Sequence, residues 1–304
     1  MVALRLGTRG SQLALWQANY IADRLRPILD PRPVELVIIE THGDQVQDRP
    51  LASMGGFGVF TKAIQEALLA NLVDVAVHSL KDLPTIPISN LTLAAVPPRG
   101  PNGDALVSTR HARFADLPNG ATIGTSSLRR KAQLLNRRKD LRIVDLRGNV
   151  ETRLRKLTEQ NLDAIVLAEA GLFRLGLSDS ITEILDSNWM LPAVGQGAIG
   201  LECREDDAES RHLVEAVNDP ATLSAVRAER AMLWALGGGC LVPIGALSKV
   251  EGNTLTLRGA VFSPDGSRKI VDTHRGTSEE PLNIGSELAA RLLSAGAREL
   301  LSLL

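Results

Sequence analysis

Ala121-Thr-Ile-Gly-Thr-Ser-Ser-Leu-Arg-Arg130 combines a short apolar strand, a turn rich in hydroxyl groups and the start of a helix. The helix, which we predict over 128–135, begins with free backbone N–H groups that favour an anion, and its two arginines add positive charge. Ligands of open α/β sheets bind at the carboxyl ends of the strands. The stretch therefore predicts an α/β sheet with an anion-binding turn.

The same order of strand, turn and arginine recurs along the chain. It follows three further predicted strands: 2–8, which leads to Arg9-Gly-Ser11; 141–146, which leads to Arg147-Gly-Asn149; and 163–168, which leads to Arg174. Ser11 is placed as the N-cap of the helix that follows it. One such turn is weak support, because a serine N-cap beside a surface arginine is ordinary. Several turns in succession at strand ends favour a surface built to hold anions.

A lysine and a carboxylate follow another predicted strand. The apolar run Val73–Val77 leads into His78-Ser-Leu-Lys-Asp-Leu-Pro84, which places Lys81 and Asp82 where an α/β sheet binds its ligands. These two residues can hold an anion and a cationic centre respectively. A surface ion pair explains them equally well, so the stretch alone leaves both interpretations open.

A lone thiol stands in the glycine-rich stretch Leu236-Gly-Gly-Gly-Cys240-Leu-Val-Pro243. Consecutive glycines allow positive φ and close approach of the backbone to a bulky group, as an attachment point requires. The alternative is a glycine-capped helix end with a cysteine that packs like a small hydrophobe. Both interpretations fit this stretch when it is taken by itself.

The length of the chain and the order of its predicted strands, helices and linkers predict three domains. Its 304 residues exceed one hydrophobic core, and two glycine- or proline-rich crossovers, 97–103 and 191–198, separate two α/β lobes. A strand over 199–203 can return to the first sheet. After Pro220 a helix, three strands and a final helix from 283 to the end suggest an antiparallel sheet. The predicted domains are 1–97 plus 198–216, 103–192 and 220–304.

Composition narrows the class of protein. The chain holds 44% hydrophobic residues without an apolar run long enough to span a bilayer, and its first residues are typical of a strand, so we expect a cytoplasmic protein. Its two cysteines, Cys203 and Cys240, are too few for a disulfide framework. Neither has metal-ligand spacing with the histidines, and we expect no metal.

Positive charge is concentrated in one segment. Residues 129–156 carry eleven Lys or Arg against three Asp or Glu, whereas the whole chain has a net charge of -1. Such a segment can bind nucleic acid, bind a polyanionic small molecule, or form a solvated helix face. Nucleic acid is disfavoured, because the arginines follow strand ends in both lobes, aromatic residues make up 3%, and the chain is near neutral.

Five motifs together resemble the porphobilinogen deaminase family. They occur in family order: His78-Ser-Leu-Lys-Asp-Leu-Pro84, Gly124-Thr-Ser-Ser-Leu-Arg-Arg130, Leu146-Arg-Gly-Asn149, Pro192-Ala-Val-Gly-Gln-Gly197 and Gly237-Gly-Gly-Cys-Leu-Val-Pro-Ile244. The resemblance runs from the first strand to the last helix. It implies two lobes like those of periplasmic binding proteins, joined by two crossovers, plus a third α+β domain with an antiparallel sheet.

The resemblance also implies an activity. Members of the family are transferases that condense four porphobilinogen molecules head to tail, release ammonia and form hydroxymethylbilane, a linear tetrapyrrole. The chain grows on a dipyrromethane cofactor held by a thioether. The implied partner is the small molecule porphobilinogen, with no nucleic acid and no membrane, and the implied state is a monomer.

Roles for individual residues follow from the same resemblance. Every pyrrole carries an acetate and a propionate, which arginine binds bidentately. Asp82 is the implied catalytic residue and Cys240 the attachment point. The other implied cofactor contacts are Lys81, Asp82, Thr125, Ser126, Ser127, Arg129, Arg130, Arg147 and Gly148. The implied substrate contacts are Arg9, Ser11, Phe60, Arg147, Arg153, Arg174 and Gln196.

A solute receptor is the main rival, because two hinged α/β lobes with anion-binding turns describe such a protein equally well. A receptor has no need of a third domain with a glycine-flanked thiol. The mass of the purified chain discriminates between the two, since a covalent adduct of two pyrrole units excludes a pure receptor.

Overall fold

The computed structural model describes residues 2–41, 61–237 and 242–303, and these residues form two five-stranded sheets and one three-stranded sheet. Thirteen strands lie in this part of the chain: β1 Leu4–Thr8, β2 Val34–Ile38, β3 Val75–Ser79, β4 Leu91–Ala95, β5 Asp104–Val107, β6 Thr122–Gly124, β7 Arg142–Val144, β8 Ala164–Ala168, β9 Glu183–Ile184, β10 Ile199–Arg204, β11 Ile244–Glu251, β12 Thr254–Phe262 and β13 Lys269–Thr277.

The α-helices of the described residues flank these sheets. They are α1 Gln12–Leu29, α2 Lys62–Leu69, α3 Leu128–Arg137, α4 Val150–Glu159, α5 Glu169–Arg174, α6 Ala208–Glu215, α7 Pro220–Ala235, α8 Pro281–Ser294 and α9 Ala297–Leu301. Short 3-10 turns occur at Leu80–Asp82, Phe114–Asp116 and Ser178–Ser180. The chain divides into two units, unit 1 (Met1–Gly100 and Ala198–Leu223) and unit 2 (Pro101–Gly197 and Ser224–Leu304).

The sheet of unit 1 has the order β2-β1-β3-β10-β4. Strands β2, β1 and β3 are parallel, and β10 runs antiparallel to both of its neighbours. Side chains of β3 alternate between two cores, since Val75 and Val77 pack with α1 while Ala76 packs with Ile64 and Leu68 of α2. With both faces covered, the ligand-facing edge of this sheet is at the carboxyl ends of its parallel strands.

The first sheet of unit 2 repeats this arrangement in the order β7-β6-β8-β5-β9. Strands β7, β6 and β8 are parallel, and β5 is antiparallel to β8 and β9. One face packs on Leu134 of α3, and the other packs on Leu157 of α4. The parallel strands therefore lead into α3, α4 and α5 from one edge of the sheet.

The C-terminal sheet is an antiparallel meander, β11-β12-β13. Leu255 and Leu257 of β12 point to a core shared with Met232 of α7 and Leu288 and Leu292 of α8. Gly259 continues this row, and a Cβ at that position would lie 2.4 Å from the sulfur of Met232, so a larger residue there requires Met232 to move.

The predicted fold class is confirmed, including the return of 199–203 to the first sheet and the antiparallel C-terminal sheet. Three details differ. The final helix is interrupted at Gly296, where φ is +100°, and continues as α9. The two-residue strand β9 and helix α6 were not predicted. The predicted strand 73–77 is shifted by two residues, so that His78 and Ser79 belong to β3.

Candidate active site

Three neighbouring turns of unit 2 gather most of the predicted contacts for anions. They follow β6, β7 and β8, which are adjacent parallel strands, so their carboxyl ends share one edge. The turn after β6 leads to α3, the turn after β7 to α4, and β8 leads directly to α5. Three of the four strand-turn-arginine stretches predicted from the sequence therefore lie along one edge of one sheet, whereas the fourth, with Arg9, belongs to unit 1.

Hydroxyl groups organise the first of these turns. Ser127 is the N-cap of α3, where its side chain accepts from Arg130 N at 3.4 Å, and Thr125 Oγ1 accepts from Ser127 N at 3.2 Å. Ser126 exchanges two hydrogen bonds with the backbone of Leu146, at 3.0 and 3.1 Å. Ser126 thus joins the first turn to the second, and the shape of both turns is fixed before any ligand arrives.

Two arginines from the first turn of α3 surround one buried carboxylate. Arg129 and Arg130 are 4% and 5% exposed, and Asp104 is fully buried at the start of β5. Arg129 Nη1 donates to Asp104 Oδ2 at 2.6 Å and to Leu191 O at 2.6 Å. Arg130 Nε donates to Asp104 Oδ1 at 2.9 Å, and its Nη1 donates to Val166 O at 2.9 Å.

This cluster carries more positive than negative charge. Burial alone would raise the pKa of Asp104, but the charges of Arg129 and Arg130 outweigh it and hold that pKa well below its usual range. Asp104 is therefore ionised, and it neutralises one of the two guanidinium groups. Arg129 Nε is also buried and has no hydrogen-bond acceptor among the described residues. The cluster can accept a further anion.

Asp104 was not predicted as a functional residue. It directly follows the linker Pro97–Gly103, and the sequence alone assigned it no role. One feature of the sequence could have indicated Asp104. It is an acid directly before the apolar run Ala105–Val107, and a buried arginine pair such as Arg129 and Arg130 needs a buried acid as its partner.

Gln196 and Arg174 belong to the same surroundings. Gln196 Nε2 donates to Asp104 Oδ1 at 3.1 Å and to the carbonyl oxygens of Asn102 and Gly103 at 2.9 Å. Arg174 ends α5, is buried, and donates to Gly197 O at 2.7 Å. Gln196 therefore ties the second crossover to the carboxylate that holds the arginines.

The second turn carries Arg147 and Gly148, and Arg153 lies on the helix that follows it, α4. Arg153 Nε donates to Gly148 O at 2.7 Å, and Lys156 Nζ donates to Arg147 O at 3.1 Å. Gly148 has a φ of +119°, and a Cβ there would lie 2.5 Å from Thr152 Cγ2. The basic residues of α4 thus stabilise the turn that presents Arg147.

Asp82 lies in a pocket of unit 1. The pocket is lined by Arg9, Ala14, Gln17, Thr61, Ile64, Val77, His78, Ser79 and Asp82. Asp82 is half-buried in the 3-10 turn that follows β3, next to Lys81. Ser11 caps α1 by accepting from Ala14 N at 3.3 Å, as predicted, and so shapes the turn that carries Arg9. A carboxylate and an arginine therefore share one small pocket.

A buried polar triad supports that pocket and was also missed. Glu202 of β10 accepts from Gln65 Nε2 with both oxygens, each at 3.1 Å, and lies 3.1 Å from His78 Nε2. His78 lines the pocket and precedes Ser79, whose hydroxyl group is hydrogen-bonded to Gln17. Two separate sets of hydrogen bonds, Gln65–Glu202–His78 and Gln17–Ser79, thus fix side chains that line the pocket with Asp82.

The two cysteines differ in what the structure describes. Cys240 lies outside the described residues, as does Phe60. Cys203 is a free, fully buried thiol in β10, and burial raises its pKa to about 12. A thiol with that pKa is protonated at neutral pH and does not act as a nucleophile.

Within 2–41, 61–237 and 242–303, no three His, Cys, Asp or Glu side chains are placed to hold a metal ion. In the same part of the chain, no helix combines the length and the apolar character needed to cross a membrane.

Family comparisons cover nearly the whole chain. The family described as "Porphobilinogen deaminase, dipyromethane cofactor binding domain" matches residues 4–212, and "Porphobilinogen deaminase, C-terminal domain" matches residues 223–294. Proteins named porphobilinogen deaminase from Geobacter metallireducens and Geobacter sulfurreducens are 52% and 51% identical over 299 residues, which is 98% of this chain and 94% of each relative.

Among solved structures, the methionine-binding protein MetQ aligns with 71% of this chain and 89% of its own, at 15% identity and a TM-score of 0.47.

Proposed function

The chain belongs to the porphobilinogen deaminase family, and we propose that its two units divide the work of that reaction. Unit 2 supplies most of the cofactor contacts, and unit 1 supplies Lys81 and Asp82, of which Asp82 performs the chemistry. The chain is a hydroxymethylbilane synthase: it condenses four porphobilinogen molecules head to tail, releases ammonia, and builds the linear tetrapyrrole on a dipyrromethane primer. The reaction is a step of tetrapyrrole biosynthesis.

The residues of unit 2 fit a polycarboxylate cofactor. Each pyrrole ring carries an acetate and a propionate, and the Arg129–Arg130–Asp104 cluster has one surplus positive charge and a buried donor, Arg129 Nε, that lacks an acceptor among the described residues. Ser127, Thr125 and Ser126 add hydroxyl groups at the N-terminus of α3, which itself favours an anion. When bound, the dipyrromethane supplies the terminal pyrrole to which the first substrate is joined.

Cys240 is the proposed attachment point. The other cysteine, Cys203, is excluded by its burial in a central strand and by its raised pKa. Cys240 stands in the chain between α7 and β11, within the residues of unit 2. The attachment point and the arginines that hold the carboxylates then belong to the same unit.

The location of Asp82 is the observation that supports its catalytic role. It shares a pocket with Arg9, His78 and Ser79, where the arginine can hold a substrate carboxylate and leave Asp82 to face the pyrrole nitrogen. Loss of ammonia from the aminomethyl group creates positive charge on the ring. A fixed carboxylate at that place lowers the barrier, because it is already oriented when the charge develops.

The remaining substrate contacts are Arg9 and Ser11 in unit 1 and Arg147, Arg153, Arg174 and Gln196 in unit 2. Lys81, Arg147 and Gly148 are also assigned to the cofactor. Phe60 is proposed from the sequence alone. The arginines among these residues orient the carboxylates on the rings and do not transfer protons, since arginine stays protonated in proteins.

We also propose the three-domain division 1–97 plus 198–216, 103–192 and 220–304, which is supported by one sheet in each part. A monomer in the cytoplasm is proposed as well, and the free thiol of Cys203 fits a reducing compartment. Light scattering of the purified protein should give the mass of one chain, and the mass of a dimer would contradict the monomer.

Replacing the charge of Asp82 tests the proposed chemistry. Asp82→Asn should keep the covalent cofactor and bind porphobilinogen, yet react at least about a hundredfold more slowly, which is the scale expected for one preorganised electrostatic group. Asp82→Glu keeps the charge in a shifted position, and its rate should lie between those of the parent and of Asp82→Asn. The measurement is the single-turnover rate on adduct-bearing protein. An Asn variant within a few-fold of the parent would show that another group carries the chemistry.

A further inference from the structure

The turn between β12 and β13 lies directly on helix α3. We call residues 263–268 the Gly266 turn. Asn136 Nδ2 of α3 donates to Gly266 O at 2.8 Å. A Cβ at Gly266 would lie 2.5 Å from Ala132 O and 2.7 Å from Asn136 N, which is closer than side-chain atoms approach a backbone. The contact between the turn and the helix therefore requires glycine at this position.

The Gly266 turn has an internal network that fixes its shape. Asp265 Oδ1 accepts from Ser263 Oγ at 2.6 Å, from Ser267 N at 3.0 Å and from Ser267 Oγ at 2.9 Å. Gly266 itself has a φ of +72°, and its N–H donates to Ser263 O at 2.9 Å. A turn held in this way presents one fixed surface to α3.

A buried seam continues the contact beside the turn. Ala132 of α3, Leu191, and Ala260 and Phe262 of β12 form one apolar cluster. The backbone of Leu191 is held by α3, because its carbonyl oxygen accepts from Arg129 Nη1 at 2.6 Å and from Gln133 Nε2 at 3.0 Å. The C-terminal sheet therefore reaches the same helix that carries the arginine pair, through both a turn and an apolar seam.

We propose that the Gly266 turn is a positioning element for cofactor binding: by seating on α3 it sets the location of Ser127, Arg129 and Arg130, which the helix carries on its first turn. The inference rests on the proposed function of these three residues. α3 has ten residues, so a displacement at Ala132 and Asn136 is transmitted to the N-terminus of a short, stiff helix. A misplacement on the order of 1 Å suffices to reduce turnover strongly in a preorganised site.

The chain contains a matched control for this contact. Gly252, in the turn between β11 and β12 of the same sheet, also has a positive φ, +58°, but no described atom lies within 4 Å of the place that its Cβ would take. Gly266→Ala and Gly252→Ala therefore impose a comparable backbone strain. They differ in whether the new methyl group pushes against α3.

The experiment compares these two variants with the parent by intact mass, kcat and KM. Gly266→Ala should be isolated with less cofactor adduct, and its adduct-bearing fraction should show kcat lower by about tenfold or more with a smaller change in KM. Gly252→Ala should match the parent in adduct mass and kcat. Equal adduct content and equal kcat in the two variants would overturn the proposal.

A second variant covers the case in which Gly266→Ala does not fold. Asn136→Asp keeps the size of the side chain but places a carboxylate against Gly266 O, and Asn136→Leu removes the donor without adding charge. The Asp variant should lower adduct content and kcat more than the Leu variant, whereas identical values to the parent in both would contradict the proposal. If Arg129→Ala and Arg130→Ala retain the adduct, the proposed function fails; if they lose it and the Gly266 and Asn136 variants do not, this inference alone fails.

Discussion

The two α/β sheets have the same strand order but treat charge at their ligand-facing edges differently. In each sheet the last residue of the third parallel strand pairs with the first residue of an antiparallel strand. In unit 1 this pair is Ser79 and Ile199, and in unit 2 it is Ala168 and Asp104. Unit 1 has an apolar residue where unit 2 has a buried acid.

The difference fits the roles that we propose for the two edges. Unit 2 buries Arg129 and Arg130, and Asp104 compensates part of their charge while leaving a surplus for an anion. In unit 1, Asp82 is half-buried in a pocket, and its charge does not neutralise a buried arginine pair. One topology therefore supports an edge with surplus positive charge and an edge with a half-buried carboxylate.

Removing the surplus charge of unit 2 should have the largest effect. Arg129→Ala and Arg130→Ala should each yield protein without the dipyrromethane adduct and without activity, because the cofactor carboxylates then lack their compensating charge. Lys131→Ala, an exposed position on the same helix, is the control and should behave like the parent. Intact mass and turnover check this, and full adduct mass in either arginine variant contradicts it.

Removing the charge of the buried acids Asp104 and Glu202 should have a smaller effect. The loss of stability should differ between the two variants. Asp104→Asn leaves two buried guanidinium groups without a charged partner and should destabilise the fold by about 3–5 kcal/mol. Glu202→Gln leaves acceptor oxygen for His78 and Gln65 and should cost about 1–3 kcal/mol. Denaturant unfolding of the two variants gives the comparison, and an equal loss in both would show that the two buried acids play the same role.

Acid pH should reveal the contribution of the Asp104 charge to stability. The pKa of Asp104 is held below its usual range in the folded chain, so the unfolded chain binds the proton first. The resulting stability is fully present above the unfolded pKa of about 4 and is lost as the pH falls below it. Between pH 4 and pH 2 the parent should therefore lose stability more steeply than Asp104→Asn, and parallel curves would contradict this.

The helix caps at both edges could be predicted from the sequence, because each depends on residues that are neighbours in the chain. Ser11 and Ser127 were predicted from hydroxyl groups placed directly before a helix, and both cap their helices. Asp104 could not be predicted, since its partners lie 25 and 26 residues further along the chain. Such a pairing depends on β5 lying antiparallel to β8, which no local pattern encodes.

Other misses have similar causes. Strand β9 has two residues, too few to show a period of two. The contact of Gly266 with Asn136 of α3 joins residues 130 positions apart, and the local sequence around either residue does not predict it. The triad of Gln65, His78 and Glu202 is likewise assembled from three distant elements.

The covalent attachment in unit 2 is the central claim, and intact mass tests it most directly. Cys240→Ser should be purified at the mass of the bare polypeptide and be inactive, whereas Cys203→Ser, which alters a buried thiol with a pKa raised to about 12, should carry the adduct of two pyrrole units and turn over normally. An adduct that remains on Cys240→Ser, or disappears from Cys203→Ser, would contradict the account.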